Sequence, residues 1–176
     1  MYMPAEDTYL LVECALQYRG RWALEIGVGS GAVASALCQN FENVAGSDID
    51  FAVARRCKAQ SPELMVACCD AASVFRGQFD LVVSNPPYLP DDDDGNAVKK
   101  DRAVHGGPAG VEATIRFVES ALPLLDHNGG KMLVVVSSLA DTRLLDAFLL
   151  ERKLKKKVIK EKALFFERLY VLEITF

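Results

Sequence analysis

Apolar residues along this chain come in short blocks separated by charged and glycine-containing turns. In "AEDTYLLVECAL", residues 5–16, Leu10, Leu11, Cys14 and Ala15 recur at helical spacing and predict an amphipathic helix. Pro4 suits its entrance, and Glu6 and Asp7 suit the positive end of its dipole. "RWALEIG", "NVAGSDI", "LMVAC", "FDLVVS" and "GKMLVVVSS" are runs too short for helices and rich in β-branched residues, so they read as buried strands. Between them "GAVASALCQNF", "FAVARRCKAQ", "EATIRFVESALPLL" and "ADTRLLDAFLLER" read as helices, the third shortened or kinked at Pro123. "KKKVIKEKA" and "ERLYVLEITF" are two last strands joined by a short turn, so they pair antiparallel. Strands alternating with helices, on nearly continuous apolar runs, predict a parallel sheet covered on both faces. The expected fold class is one doubly wound, Rossmann-like α/β domain over residues 1–176, its seven-stranded, mostly parallel sheet ending in an antiparallel hairpin.

Composition narrows the function classes. Apolar residues are 51% and charged residues 25% of 176, which is ordinary for a globular domain with a sizeable core. A net charge of −4 argues against a sequence-independent grip on nucleic acid. No apolar run approaches the length of a membrane span, and the acidic start is unlike a signal peptide. Five cysteines show neither C-x-x-C spacing nor a nearby histidine partner, so no metal site is expected. Free thiols suit a reducing, cytoplasmic setting.

The chemistry concentrates at strand ends. "LEIGVGSGAV" places Gly27, Gly29 and Gly31 at the first strand-to-helix turn, where the backbone must turn sharply and approach a ligand. Read loosely this is also a dinucleotide fingerprint, a weak signal alone. Glu25 precedes the first glycine, unwelcome to a pyrophosphate and welcome to a cation. Asp48 ends the second strand, where a carboxylate accepts from ribose hydroxyls, and Asp70 follows the third, placed for an adenine amino group. Each acid singly would also serve as a helix N-cap. Together with the glycines they fit S-adenosyl-L-methionine better than NAD.

Asn85-Pro86-Pro87-Tyr88 follows the fourth strand, at the sheet end where ligands of open α/β folds bind. A planar NH2 group is a poor nucleophile. The Asn85 side-chain oxygen and the Pro86 carbonyl can accept its two N–H bonds and hold it in line with a methyl donor. Pro86 and Pro87 fix the backbone, and Tyr88 offers a flat face for the substrate. The same four residues also suit a plain turn. As a site, they fit a glutamine amide and an adenine amine equally.

"EIGVGSG" with "NPPY" resembles class I S-adenosylmethionine-dependent methyltransferases. "YMPAEDTYLL", "NPPYLP" and "HGGPAGVEATIRF" are similar to the HemK-like methyltransferases of eukaryotes and archaea, from Tyr2 to the final strand. The resemblance implies N5-methylation of the glutamine in the Gly-Gly-Gln motif of a class 1 peptide-chain release factor. It implies that Thr8 touches the methionine end of the cofactor and that Glu25, Gly27, Asp48 and Asp70 hold its amino-acid, ribose and adenine parts. It also implies a strand order like 3-2-1-4-5-7-6 and a small zinc-binding activator subunit. In that order Leu64 to Cys68 is an unguarded apolar edge, on which the activator is expected to dock unless a loop of the same chain covers it. Against the long bacterial members, the resemblance implies that a separate N-terminal domain for holding the release factor is not expected, so recognition would come from this domain or from a partner.

Residues 89–112, with the Asp91 to Asp94 run, Lys99, Lys100, Arg102 and His105, are expected to form a mobile substrate loop, with "HGGPAG" as hinges. Rival readings are an adenine N6-methyltransferase on nucleic acid, a broader protein (lysine) methyltransferase, and an idle scaffold. A basic cleft would favour the first, and damaged motifs the last; neither is seen.

Overall fold

A computed structural model describes residues 4–91 and 104–176. In chain order the elements are α1 Glu6–Ala15, β1 Gly20–Ile26, α2 Ala32–Leu37, β2 Phe41–Asp48, α3 Phe51–Gln60, β3 Met65–Cys68 and β4 Leu81–Ser84. There follow β5 Leu89–Pro90, β6 His105–Gly107, α4 Glu112–Ala121, a 3-10 turn Leu122–Leu124, β7 Lys131–Ser137, α5 Arg143–Glu151, β8 Lys155–Ala163 and β9 Arg168–Thr175. Tyr2, Asp92, Asp93, Asp94, Lys99, Lys100 and Arg102, which the sequence reading singled out, lie outside the described residues.

The main sheet has seven strands in the order β3-β2-β1-β4-β7-β9-β8. The first five run parallel and β9 inserts antiparallel between β7 and β8. This is the doubly wound sheet with a closing hairpin that the alternating pattern predicts. Successive side chains of a strand point to opposite faces, and both faces are covered. Leu24, Ile26, Val82, Met132 and Val134 face Phe117 and Val118 of α4 and Leu145 and Leu149 of α5. Ala23, Val83, Leu133 and Val135 face Leu10 and Leu11 of α1 and Val33 and Leu37 of α2. Among the described residues no helix is long and apolar enough to cross a membrane.

Element limits shift where packing overrides local pattern. β2 begins at Phe41 rather than Asn43, because Phe41 is buried and pairs with Gly20 of β1. α5 begins at Arg143 rather than Ala140, since Asp141 accepts from the Arg143 N–H at 3.1 Å in a turn that precedes the helix, whose N-cap is Thr142. Pro123 turns the end of α4 into the 3-10 turn, as its missing N–H requires.

The two edges of the sheet differ. On β8, Lys156 pairs with Asp146, Lys160 with Glu13 and Lys162 with Glu6, so lysines line that edge. On the opposite edge β3 carries no charge, pairs with β2, and leaves Met65 and Cys68 exposed.

One packing contact fixes the site's base. Gly46 of β2 lies under Val28, so that a Cβ there would stand 2.3 Å from Val28 Cγ1. Val28 belongs to the turn after β1 and is buried, so this contact seats the turn on the sheet. Gly46→Ala should lower unfolding free energy by about 1–3 kcal/mol in urea denaturation, through overpacking.

Candidate active site

β1, β2 and β4 end side by side, and their carboxyl ends carry the site. Register places Ile26 beside Ser47 and beside Ser84. The N–H groups of Gly27 and Val28 both donate to the Ser47 carbonyl at 2.8 Å, while the Ser84 hydroxyl donates to the Ile26 carbonyl at 2.8 Å. The three strand ends are therefore laced into one rim.

The glycine turn leaves room for a ligand. Gly27 and Gly29 have φ of 80° and 49°, in the left-handed region that favours glycine, and a Cβ on Gly29 would meet nothing within 4 Å. Asp48 closes the other side of this turn. Its Oδ2 accepts from the Gly29 N–H at 3.1 Å and its Oδ1 from the Asp50 N–H at 2.9 Å. Each carboxylate oxygen keeps further lone-pair capacity for hydroxyl donors. Ile49, next along, is 61% exposed and offers an apolar face beside that carboxylate. An open glycine cradle, an acceptor-only carboxylate and an adjoining apolar face suit the ribose and base of a nucleoside. The residues present therefore fit S-adenosylmethionine.

Glu25 has a different setting from the one its position suggested. It is buried, and its Oε2 accepts from the Ala34 N–H at 2.7 Å, in the first turn of α2. It caps a helix within the protein rather than standing on the rim. Burial pushes its carboxyl up to about 8; the Ala34 N–H opposes that rise, and the negative charge of Asp48 adds to it. Asp70 is over half exposed and faces Arg116 of α4, its Oδ1 lying 3.8 Å from Nε. The adenine-amine role expected of Asp70 thus shares its carboxylate with a cation on α4.

Asn85 stands directly after β4. Its Oδ1 is buried and has no hydrogen-bond partner among the described residues. A buried amide oxygen left unpaired costs about 1–3 kcal/mol, so it marks a place where a donor is expected. Pro86 and Pro87 follow, each with its φ fixed. The backbone behind them is packed without clearance: a Cβ on Gly106 would stand 2.3 Å from the Pro87 carbonyl oxygen. A Cβ on Gly110 would stand 2.6 Å from the Tyr88 carbonyl oxygen. "HGGPAG" is therefore a brace against the Asn-Pro-Pro-Tyr loop rather than a set of hinges. Its end of the 89–112 segment is structured. Leu89 N–H donates to the Val104 carbonyl at 3.1 Å and Asp91 N–H to the Gly107 carbonyl at 3.0 Å, forming the short parallel pair β5–β6. Glu112 closes this brace by accepting from the Ala109 and Val111 N–H groups. His105 Nδ1 lies 3.2 Å from the Pro90 carbonyl oxygen.

Tyr88 is held from the other side. Its hydroxyl donates to Asp7 Oδ2 at 2.8 Å, and the other oxygen of Asp7 accepts from the Thr8 N–H at 2.6 Å. Asp7 is 2% exposed and Thr8 is 5% exposed. The sequence pattern shows Asp7 only as a helix-dipole acid, and nothing local in it pairs residues 81 positions apart. The start of α1, expected to touch the cofactor, is thus tied to the loop expected to touch the substrate.

Known proteins similar to this chain are methyltransferases. The family model described as Eco57I restriction-modification methylase matches residues 37–166. A relative from Methanocaldococcus jannaschii, named as a protein N5-glutamine methyltransferase, is 32% identical over 145 residues, covering 79% of this chain and 73% of that protein. The release factor glutamine methyltransferase of Rhodospirillum rubrum is 32% identical over 148 residues, but the chain spans only 45% of its length. Among solved structures, the E. cuniculi Mtq2-Trm112 complex, responsible for methylation of the eRF1 translation termination factor, matches with a TM-score of 0.76 and 25% identity. That match covers 98% of this chain and 96% of the matched one. A seven-stranded sheet with a glycine cradle and an Asn-Pro-Pro-Tyr loop on one rim defines a class I methyltransferase. Within that class the chain belongs to the protein N5-glutamine methyltransferase family.

Two outcomes follow from the site's geometry. The Glu25 carboxyl stands above its ordinary value of 4.5 in the folded chain. The stability present below pH 4.5 is therefore lost as pH rises toward 8. Melting temperatures of the ligand-free protein between pH 5 and 8.5 should fall less steeply for Glu25→Gln than for wild type. Tyr88→Phe keeps the ring and removes the tie to Asp7. Steady-state kinetics should show kcat reduced about tenfold, with the cofactor dissociation constant changed by no more than about twofold.

Proposed function

We propose that the protein methylates N5 of the glutamine in the Gly-Gly-Gln motif of a class 1 peptide-chain release factor, using S-adenosylmethionine. The observation that carries this reading is the buried, unpartnered Oδ1 of Asn85 at the carboxyl end of β4. When bound, the cofactor supplies a methyl group on a cationic sulfur. Gly27, Gly29 and Asp48 would hold its nucleoside, and Thr8 its amino-acid end. Glu25 acts from beneath by fixing α2 against the glycine turn.

Asn85 Oδ1 and the Pro86 carbonyl accept the two N–H bonds of the substrate amide. Held this way, the nitrogen can give up conjugation and present its lone pair in one direction. Asparagine serves better than aspartate here, because a second negative charge would stabilise the cationic ground state over the transition state. No strong base is required, since an alkylated amide nitrogen is acidic and solvent can take its proton. Tyr88, fixed by Asp7, would rest against the flat amide. An adenine amine has the same planar NH2, and the family model that matches residues 37–166 is described as a restriction-modification methylase. The relatives named for glutamine, and the chain's net charge of −4, favour the protein substrate.

In this reading the chain is a catalytic subunit of the cytoplasm that works with a small zinc-binding activator. Mtq2 assembles with Trm112, and β3 here offers an uncharged edge able to take an added strand. If the chain expressed alone proves monomeric, soluble and fully active, an obligate activator is excluded.

Asn85→Ala should keep cofactor binding by calorimetry and lose at least about a hundredfold in kcat. Labelling of a release factor from radioactive S-adenosylmethionine should vanish when its Gly-Gly-Gln glutamine is replaced by alanine. Unchanged labelling of that variant would refute the glutamine assignment.

A further inference from the structure

The turn between β8 and β9 carries two adjacent phenylalanines in water. Phe165 is 91% exposed and Phe166 84%, the two highest values among the exposed large hydrophobic residues described. Their rings meet edge to face, with centroids 4.5 Å apart at 86°. The turn beneath them is anchored. Leu164 N–H donates to the Glu167 carbonyl at 2.8 Å, and the Leu164 side chain packs on the α1–α2 side of the core. The buried Ser137 donates its hydroxyl to Glu167, and Arg168 N–H donates to Ser138 Oγ at 2.9 Å. So the backbone is held from below while both rings are left outside, where they contribute little to the fold.

Register places this turn at the active rim. Ser84, the residue before Asn85, pairs with Val134; Ser137 pairs with Leu169, and Arg168 with Ala163. At about 3.3 Å per residue the turn rises roughly 13 Å above the level of Ser84. With strands about 4.8 Å apart, β9 stands about 10 Å to the side of β4. The turn is thus a post beside the amide pocket, overlooking it.

Arg168 pairs with Glu161 and Lys162 with Glu6, and the Glu167 carboxylate is turned back onto the Ser137 hydroxyl. The post therefore presents its two apolar rings outward while the charges around it are engaged in the hairpin. Two such rings can cover only about 300–500 Å², well below the roughly 1,200 Å² of a stable protein interface. That area is too small for a lasting dimer through this turn, yet it suits a transient encounter whose main contact is made at a neighbouring pocket.

Resting on the glutamine reading above, we infer that Phe165 and Phe166 form a docking post for the folded protein substrate. They would grip an uncharged, aliphatic patch flanking the acceptor loop once its glutamine enters beside Asn85. A short peptide confined to the pocket does not reach the post.

The test uses the enzyme co-expressed with its proposed activator, as wild type and as the double variant Phe165→Ser/Phe166→Ser. Each is assayed with an intact class 1 release factor and with a short Gly-Gly-Gln peptide. For the variant, kcat/KM on the intact factor should fall about tenfold or more, mainly through KM, while the peptide rate and cofactor affinity stay within about twofold. Equal loss on both substrates, or no loss on the intact factor, overturns the docking post and leaves the glutamine reading standing. Wild-type enzyme that labels neither substrate overturns the glutamine reading and the post together. A wild-type dimer that the double substitution converts to monomer would assign the rings to self-association instead, and overturn the post.

Discussion

An acceptor buried without a partner persists only where the chain around it cannot rearrange to hide it. Asn85 Oδ1 is such an atom, and much of the surrounding structure is devoted to preventing that rearrangement. Two prolines remove backbone freedom, and Gly106 and Gly110 let a second backbone segment lie directly against the loop. Asp7 holds the last residue of the motif from α1. None of these contacts needs to touch a substrate to matter, because orientation is what the chemistry of a planar amide lacks.

The rim also separates two carboxylates that look alike in sequence. Asp48 sits at the surface of the glycine turn and keeps lone pairs for a ligand, whereas Glu25, fully enclosed, caps α2. Their proximity raises the cost of ionising Glu25. A cationic ligand nearby would reduce that cost, so nucleoside binding and the charge of the buried acid are coupled through the same turn.

Much of this is legible in the sequence itself. The sheet, its closing hairpin and the alternation of helices follow from apolar runs too short to be anything else, and the Gly27–Gly31 turn announces itself by composition. Resemblance added the strand order. Three features were not legible. The β5–β6 pair is two and three residues long, below any periodicity signal, and its glycines read equally well as hinges. The Asp7–Tyr88 bond joins two segments that only the finished fold brings together. The burial of Glu25 depends on how α2 lies over β1, whereas its place before a glycine pointed outward.

The sheet's two borders carry opposite signals, lysine-studded at β8 and bare at β3. Addition at the bare border consumes it, and at the other border a further strand would have to desolvate lysines already joined to Asp146, Glu13 and Glu6. Lateral growth accordingly stops after one step. A molecule built this way can acquire a companion or form a sealed pair with its twin, but it has no route to an open-ended ribbon.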